Sequence, residues 1–92
     1  MLSQIPIDFT KVKKEELDRE ICRVGMIAEL DATSLYEQLA AIAKDPAIRK
    51  ILLDIAKEEK THTGEFQALL LKWDKEQARE LAKGKKEVEE KT

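Results

Sequence analysis

Cysteine, histidine and aromatic residues are scarce in this sequence, and each shortage closes off a class of protein. A single cysteine, Cys22, in 92 residues excludes an internal disulfide framework and any zinc site built from thiolates. Cys22 therefore reads as a small buried hydrophobe, and a reducing cytosol as the expected compartment. Aromatic residues make up 4% of the chain, so one chain of this length has little with which to build a large core by itself. No apolar run approaches the roughly 18 residues of a membrane span, and the N-terminus MLSQIPIDF lacks a charged segment ahead of an apolar core. Neither a membrane nor export is expected. A basic surplus is missing too: 17 Lys and Arg are interspersed with 19 Asp and Glu, which leaves no stripe to attract a phosphate backbone and makes nucleic acid an unexpected partner. With two prolines and three glycines in the whole chain, long stretches run without a helix breaker.

What is abundant is charge, at 39%, together with Ala, Leu, Ile, Glu and Lys, a balance that predicts an all-α fold. Residues 1–10, with Pro6 and no period, read as an extended arm. Thr10 is a candidate N-cap for a helix over 11–43, roughly 50 Å long at 1.5 Å per residue. Asp45-Pro46 supplies an N-cap and a first-turn proline, so a second helix is predicted over 46–73 after a tight turn. Asp74-x-x-Gln77 resembles a capping box and starts a third helix over 75–83. Gly84 is expected to end that helix, leaving 84–92 as a charged tail or linker. The whole reads as one antiparallel helical hairpin with a short third helix.

Two long helices carry more apolar surface than a hairpin can bury. On the second, Ile48, Leu52, Ile55, Glu59, His62, Phe66, Leu69 and Trp73 recur at heptad spacing and are expected to form the seam. The first has two stripes, one through Leu17, Ile21, Val24, Ala28 and Leu35, the other through Cys22, Met26, Glu29, Thr33, Tyr36 and Ala40. One stripe of each helix can face the other, and the remainder marks an oligomer interface.

Glu59 and His62 interrupt an apolar seam, and Glu29 does the same on the neighbouring helix. Burying an ionised carboxylate without compensation costs several kcal/mol, and neither seam offers Lys or Arg at adjacent heptad positions. A metal ion compensates both carboxylates and also uses His62, because side chains at i and i+3 share a helix face. Carboxylate with imidazole suits Fe, Mn or Zn better than Ca or Mg. Glu65 and Glu58 read as part of a solvated charged face, and Tyr36 first as a packing residue.

Ferritin-like di-metal sites take one Glu from each of two helices and a Glu-x-x-His from each of two others. This chain has one of each, so it resembles half of such a site, to be completed by a homodimer that forms a four-helix bundle. The stretch over residues 28–70, AELDATSLYEQLAAIAKDPAIRKILLDIAKEEKTHTGEFQALL, is similar to the encapsulated ferritins, short relatives of ferritin and rubrerythrin sequestered in encapsulin shells. That resemblance implies Glu29, Glu59 and His62 as ferroxidase ligands of a di-iron centre, two Fe ions per dimer. It further implies Tyr36 beside the iron and Asp31 as an acidic residue where metal is taken up. Ala28 and Leu35 depart from an acidic residue and a tryptophan found in some members. The implied activity is oxidation of Fe²⁺ to Fe³⁺ by O₂ for iron storage. The implied assembly is a homodimer built into a larger ring, commonly a decamer, inside a cytoplasmic encapsulin nanocompartment. A rubrerythrin-like peroxidase and a non-catalytic helical-hairpin assembly module are the alternatives. GKKEVEEKT contains no apolar cargo-docking peptide, so the expectation is a domain fused ahead of a shell protein or a chain shortened at its end.

Overall fold

Asp45 and Pro46 set the topology. In a computed structural model that describes residues 4, 5 and 7–92, the Asp45 carboxylate accepts a hydrogen bond from the Ile48 amide at 3.0 Å and Pro46 opens the next helix. Two long helices, α1 (Leu17–Ile42) and α2 (Pro46–Trp73), therefore reverse direction within three residues. The Arg49 guanidinium closes the turn by donating to the Ala43 carbonyl at 2.7 Å. A third helix, α3 (Lys75–Lys91), follows a one-residue break at Asp74. There is no strand among the described residues.

Asp74 does two jobs at that break. One carboxylate oxygen caps α3 by accepting from the Gln77 amide at 2.9 Å, and the other accepts from Arg23 of α1 at 3.0 Å. The reciprocal half of the expected capping box is absent, because the Asp74 amide donates to the Leu70 carbonyl and so closes α2. Arg23 also binds Glu20 at 2.6 Å, one turn away, and this fixes the guanidinium that ties α3 to the hairpin.

Two expected boundaries shift, the start of the first helix and the end of the third. Thr10 caps no helix: Asp8 accepts from both its amide and its hydroxyl, giving a 3-10 turn over Phe9–Lys11, and a second such turn over Lys14–Glu16 leads into α1. Local side-chain bonding of this kind competes with the helix, and Val12 and Lys13 between the turns are extended. Of the arm, residues 1–3 and Pro6 lie outside the described residues. Gly84 does not end α3, which runs on to Lys91 and so makes the expected tail helical. A stop at glycine needs a positive φ, and no glycine has one among the described residues. Its flanks are strong helix formers, and Lys85 and Glu89 pair at 3.8 Å one turn apart.

The buried residues of α1 and α2 are mostly small: Cys22, Thr33 and Ala40 on α1, and Ala56 with the larger Leu70 on α2. On α1 this is the expected Cys22-to-Ala40 stripe. On α2 the expected stripe holds in its middle, where Leu52, Ile55, Glu59, His62 and Phe66 are half-buried, but the most covered residues, Ala56 and Leu70, lie one position beyond it. Ile48, Leu69 and Trp73 of that stripe are exposed, Trp73 at 67%. Much apolar surface stays wet. The accessible area is 7254 Å², against roughly 5,400 Å² for a compact monomer of this mass. An excess of this size is what a hairpin shows when its outer face lacks a partner.

The Gln77 amide, opposed by burial and helped by Arg23, holds the Asp74 carboxyl below the ordinary carboxylate range. Such a group contributes stability above its unfolded value of about pH 4 and loses it as pH falls through the depressed folded value. Asp74→Ala should therefore lower the melting temperature at pH 7 by a few degrees and converge with wild type in acid. Thermal unfolding followed by circular dichroism across pH checks this.

Candidate metal centre

Near the midpoint of the hairpin, the small seam residues bring Glu29 of α1 opposite one turn of α2 that carries Glu59 and His62. His62 Nδ1 lies 3.5 Å from Glu29 Oε2 and 3.6 Å from Glu59 Oε2. One ligand-type atom from each of the three residues falls within 4.8 Å of the others. Both carboxylates are mostly covered, at 19% and 18% exposure, while His62 is 44% exposed. The trio thus sits at the edge of the seam with its imidazole side open.

Each glutamate has a threonine one turn on, bonded to its backbone carbonyl. One turn beyond Glu29, the Thr33 hydroxyl donates to the Glu29 carbonyl at 2.8 Å, and one turn beyond Glu59, Thr63 donates to the Glu59 carbonyl at 3.1 Å. A threonine in the seam satisfies its hydroxyl locally this way and stays narrow enough for the helices to approach. Phe66, Leu69 and Glu65 complete a cavity of about 330 Å³ that Glu29 and His62 also line.

Glu29 Oε2 is buried and has no hydrogen-bond partner, a condition shared among the described residues only with Arg19 Nε. No Lys or Arg among the described residues pairs with Glu29 or Glu59; Lys60, the nearest cation in sequence, pairs with Glu37 across the hairpin at 3.0 Å. An orphaned buried acceptor is costly, and a divalent cation between two carboxylates and an imidazole would remove that cost. The donor set fits iron, manganese or zinc.

The structure brings together Glu29, Glu59 and His62, and the other two candidates do not line the cavity beside them. Tyr36 lies two turns along α1, half-buried, and does not line the cavity; Asp31 is half-buried on α1 outside the trio. Glu65 is exposed as expected yet borders the cavity. Gly25 was missed in the sequence. Its position would place a Cβ 2.6 Å from the Phe66 ring, and a glycine inside an otherwise uninterrupted helical pattern is the available signal of close approach.

A helical hairpin carrying Glu on one arm and Glu-x-x-His on the other defines a ferritin-like domain. The rubrerythrin family matches residues 20–92, and the chain belongs to that family, among its encapsulated ferritins. It is 52% identical to the encapsulated ferritin domain from Pyrococcus furiosus, whose crystal structure superposes with a TM-score of 0.82 over 98% of this chain and 94% of that one. It is 60% identical over 79 residues to a ferritin-like–encapsulin shell fusion protein from the same organism. That alignment covers 86% of this chain and 23% of the fusion protein, so the chain spans under a quarter of that relative's length.

If the carboxylates await a cation, removing one in the metal-free protein should cost nothing. Glu29→Met in chelator is expected to be at least as stable as wild type at equal chain concentration. A loss of about 3–5 kcal/mol, which is what breaking a buried ion pair costs, would instead make Glu29 a structural strut. Urea denaturation measures the difference.

Proposed function

We propose that two copies of this chain pair across the open side of the trio and act as a ferroxidase, with Fe²⁺ as substrate. The observation that carries this reading is the buried, unpartnered Glu29 Oε2 in a group whose ligand-type atoms, with those of Glu59 and His62, lie within 4.8 Å of one another. Three protein ligands from one chain leave an ion incompletely held, and a second copy supplies the rest. Glu29 and Glu59 from two copies provide four negative charges, which balance two Fe²⁺. Bound iron supplies the one-electron chemistry, each Fe²⁺ giving one electron to O₂, and carboxylate oxygen favours the harder Fe³⁺ product.

The chain's own residues do the rest. Glu29 and Glu59 hold the ions from opposite helices of the hairpin. His62 contributes Nδ1 from the exposed side, where the exposed Leu69 and Trp73 offer apolar surface for the partner copy to cover. Phe66 and Leu69 wall the cavity and limit water once the copies pair. Tyr36 and Asp31 are assigned supporting roles, beside the iron and on its route in. The proposed setting is a ring of such dimers inside an encapsulin shell, where Fe³⁺ is stored as mineral. The similarity to a ferritin-like–encapsulin shell fusion supports it.

Glu59→Ala and His62→Ala should each slow aerobic Fe²⁺ oxidation by more than the roughly 10–100-fold that loss of an outer-shell partner costs, with helix content unchanged. Stopped-flow absorbance measures the rate, and oxygen uptake against peroxide consumption separates a ferroxidase from a peroxidase. Wild-type rates in either variant, or preferential consumption of H₂O₂, would contradict the proposal.

A further inference from the structure

We infer that Gly25 is a positioning residue for the metal centre, an inference that rests on the metal-binding reading of Glu29, Glu59 and His62. A Cβ at Gly25 would lie 2.6 Å from Cδ1 and Cε1 of Phe66 and 2.8 Å from its Cγ. Contact at Cγ matters, because that atom is bound to the Phe66 Cβ and cannot swing clear as the far end of a side chain can. The ring therefore rests directly on the α1 backbone.

This contact sits one helical turn from the trio on both helices: Gly25 precedes Glu29 by four residues, and Phe66 follows His62 by four. The seating of the Phe66 ring on Gly25 and the facing of Glu29 by His62 are thus adjacent levels of one seam. An added methyl has two outlets. Either the helices part, or the Phe66 ring turns into the cavity of about 330 Å³ that it lines with Glu29 and His62. Each outlet changes the 3.5 Å spacing between Glu29 Oε2 and His62 Nδ1, and ligand distances tolerate only about 0.2 Å. Glycine is otherwise a poor helix residue, and Gly64 and Gly84 have open space where a Cβ would go. Close approach is specific to position 25.

Anaerobic titration of the assembled protein with Co²⁺, read by its visible ligand-field absorption, tests this apart from oxidation. Gly25→Ala should weaken Co²⁺ binding by about 10–100-fold, the range for residues that orient ligands, and alter the ligand-field spectrum. Gly64→Ala, on the same helix as His62 but in open space, should raise the melting temperature and leave Co²⁺ affinity unchanged. Gly25→Ala/Phe66→Ala keeps the new methyl but removes every ring atom it strikes, Cγ included, and should restore affinity. Gly25→Ala binding Co²⁺ as wild type does, with only a lower melting temperature, would reduce Gly25 to a packing role and overturn the inference alone. A double variant that folds without recovering affinity would overturn it too, and decides the matter if Gly25→Ala fails to assemble. Wild type that binds no Co²⁺ would remove the metal-centre reading itself, and this inference with it.

Discussion

A buried carboxylate oxygen with no basic side chain to pair it is the constraint on which the rest of this hairpin depends. Glu29 Oε2 has no hydrogen-bond partner, and His62 Nδ1 lies 3.5 Å away. A seam of alanine, threonine, cysteine and glycine holds α1 and α2 close enough for that encounter. The two threonines spend their hydroxyls on the carbonyls of the carboxylate residues themselves, so the seam gains narrow side chains without gaining stranded donors.

The same packing choice explains why the molecule looks unfinished. Bulky apolar residues of α2 meet solvent, Leu69 beside the open edge of the trio and Ile48 and Trp73 toward the two ends of the helix. Under the proposed pairing, one event would cover exposed apolar side chains and bring a second Glu29, Glu59 and His62 to the site. Such pairing links the stability of the assembly to its metal. α3 stands somewhat apart from this arrangement. Its residues beyond Ala78 are exposed, and it meets the hairpin through Arg23 and Asp74 and at Leu81, which shares a groove with Met26, Leu30 and Leu70.

Much of this could be read from the residues. Asp45-Pro46 and Asp74 mark helix starts by local chemistry that tertiary packing does not override, and both act as caps. Glu29, Glu59 and His62 stood out as polar interruptions of apolar stripes, and they converge. The phase of α2 was harder: hydrophobicity favours Ile55 and Leu69 as seam residues, whereas close approach favours Ala56 and Thr63, and period alone does not say which wins. The start of α1 was misplaced because Asp8 satisfies Thr10 locally, an option that a capping pattern does not reveal. Gly84 misled because glycine ends a helix only when its backbone turns left-handed. Gly25 went unread, since nothing in one strand of text shows which ring lies against it.

The central claim is that one chain holds half a site. Native mass spectrometry of anaerobically Fe²⁺-loaded protein tests it most directly, by counting chains and ions in the same particle. The account predicts that the smallest iron-bearing species contains two chains and two ions, and that monomers released by dilution carry none. A monomer retaining iron with the affinity of the assembly would contradict it.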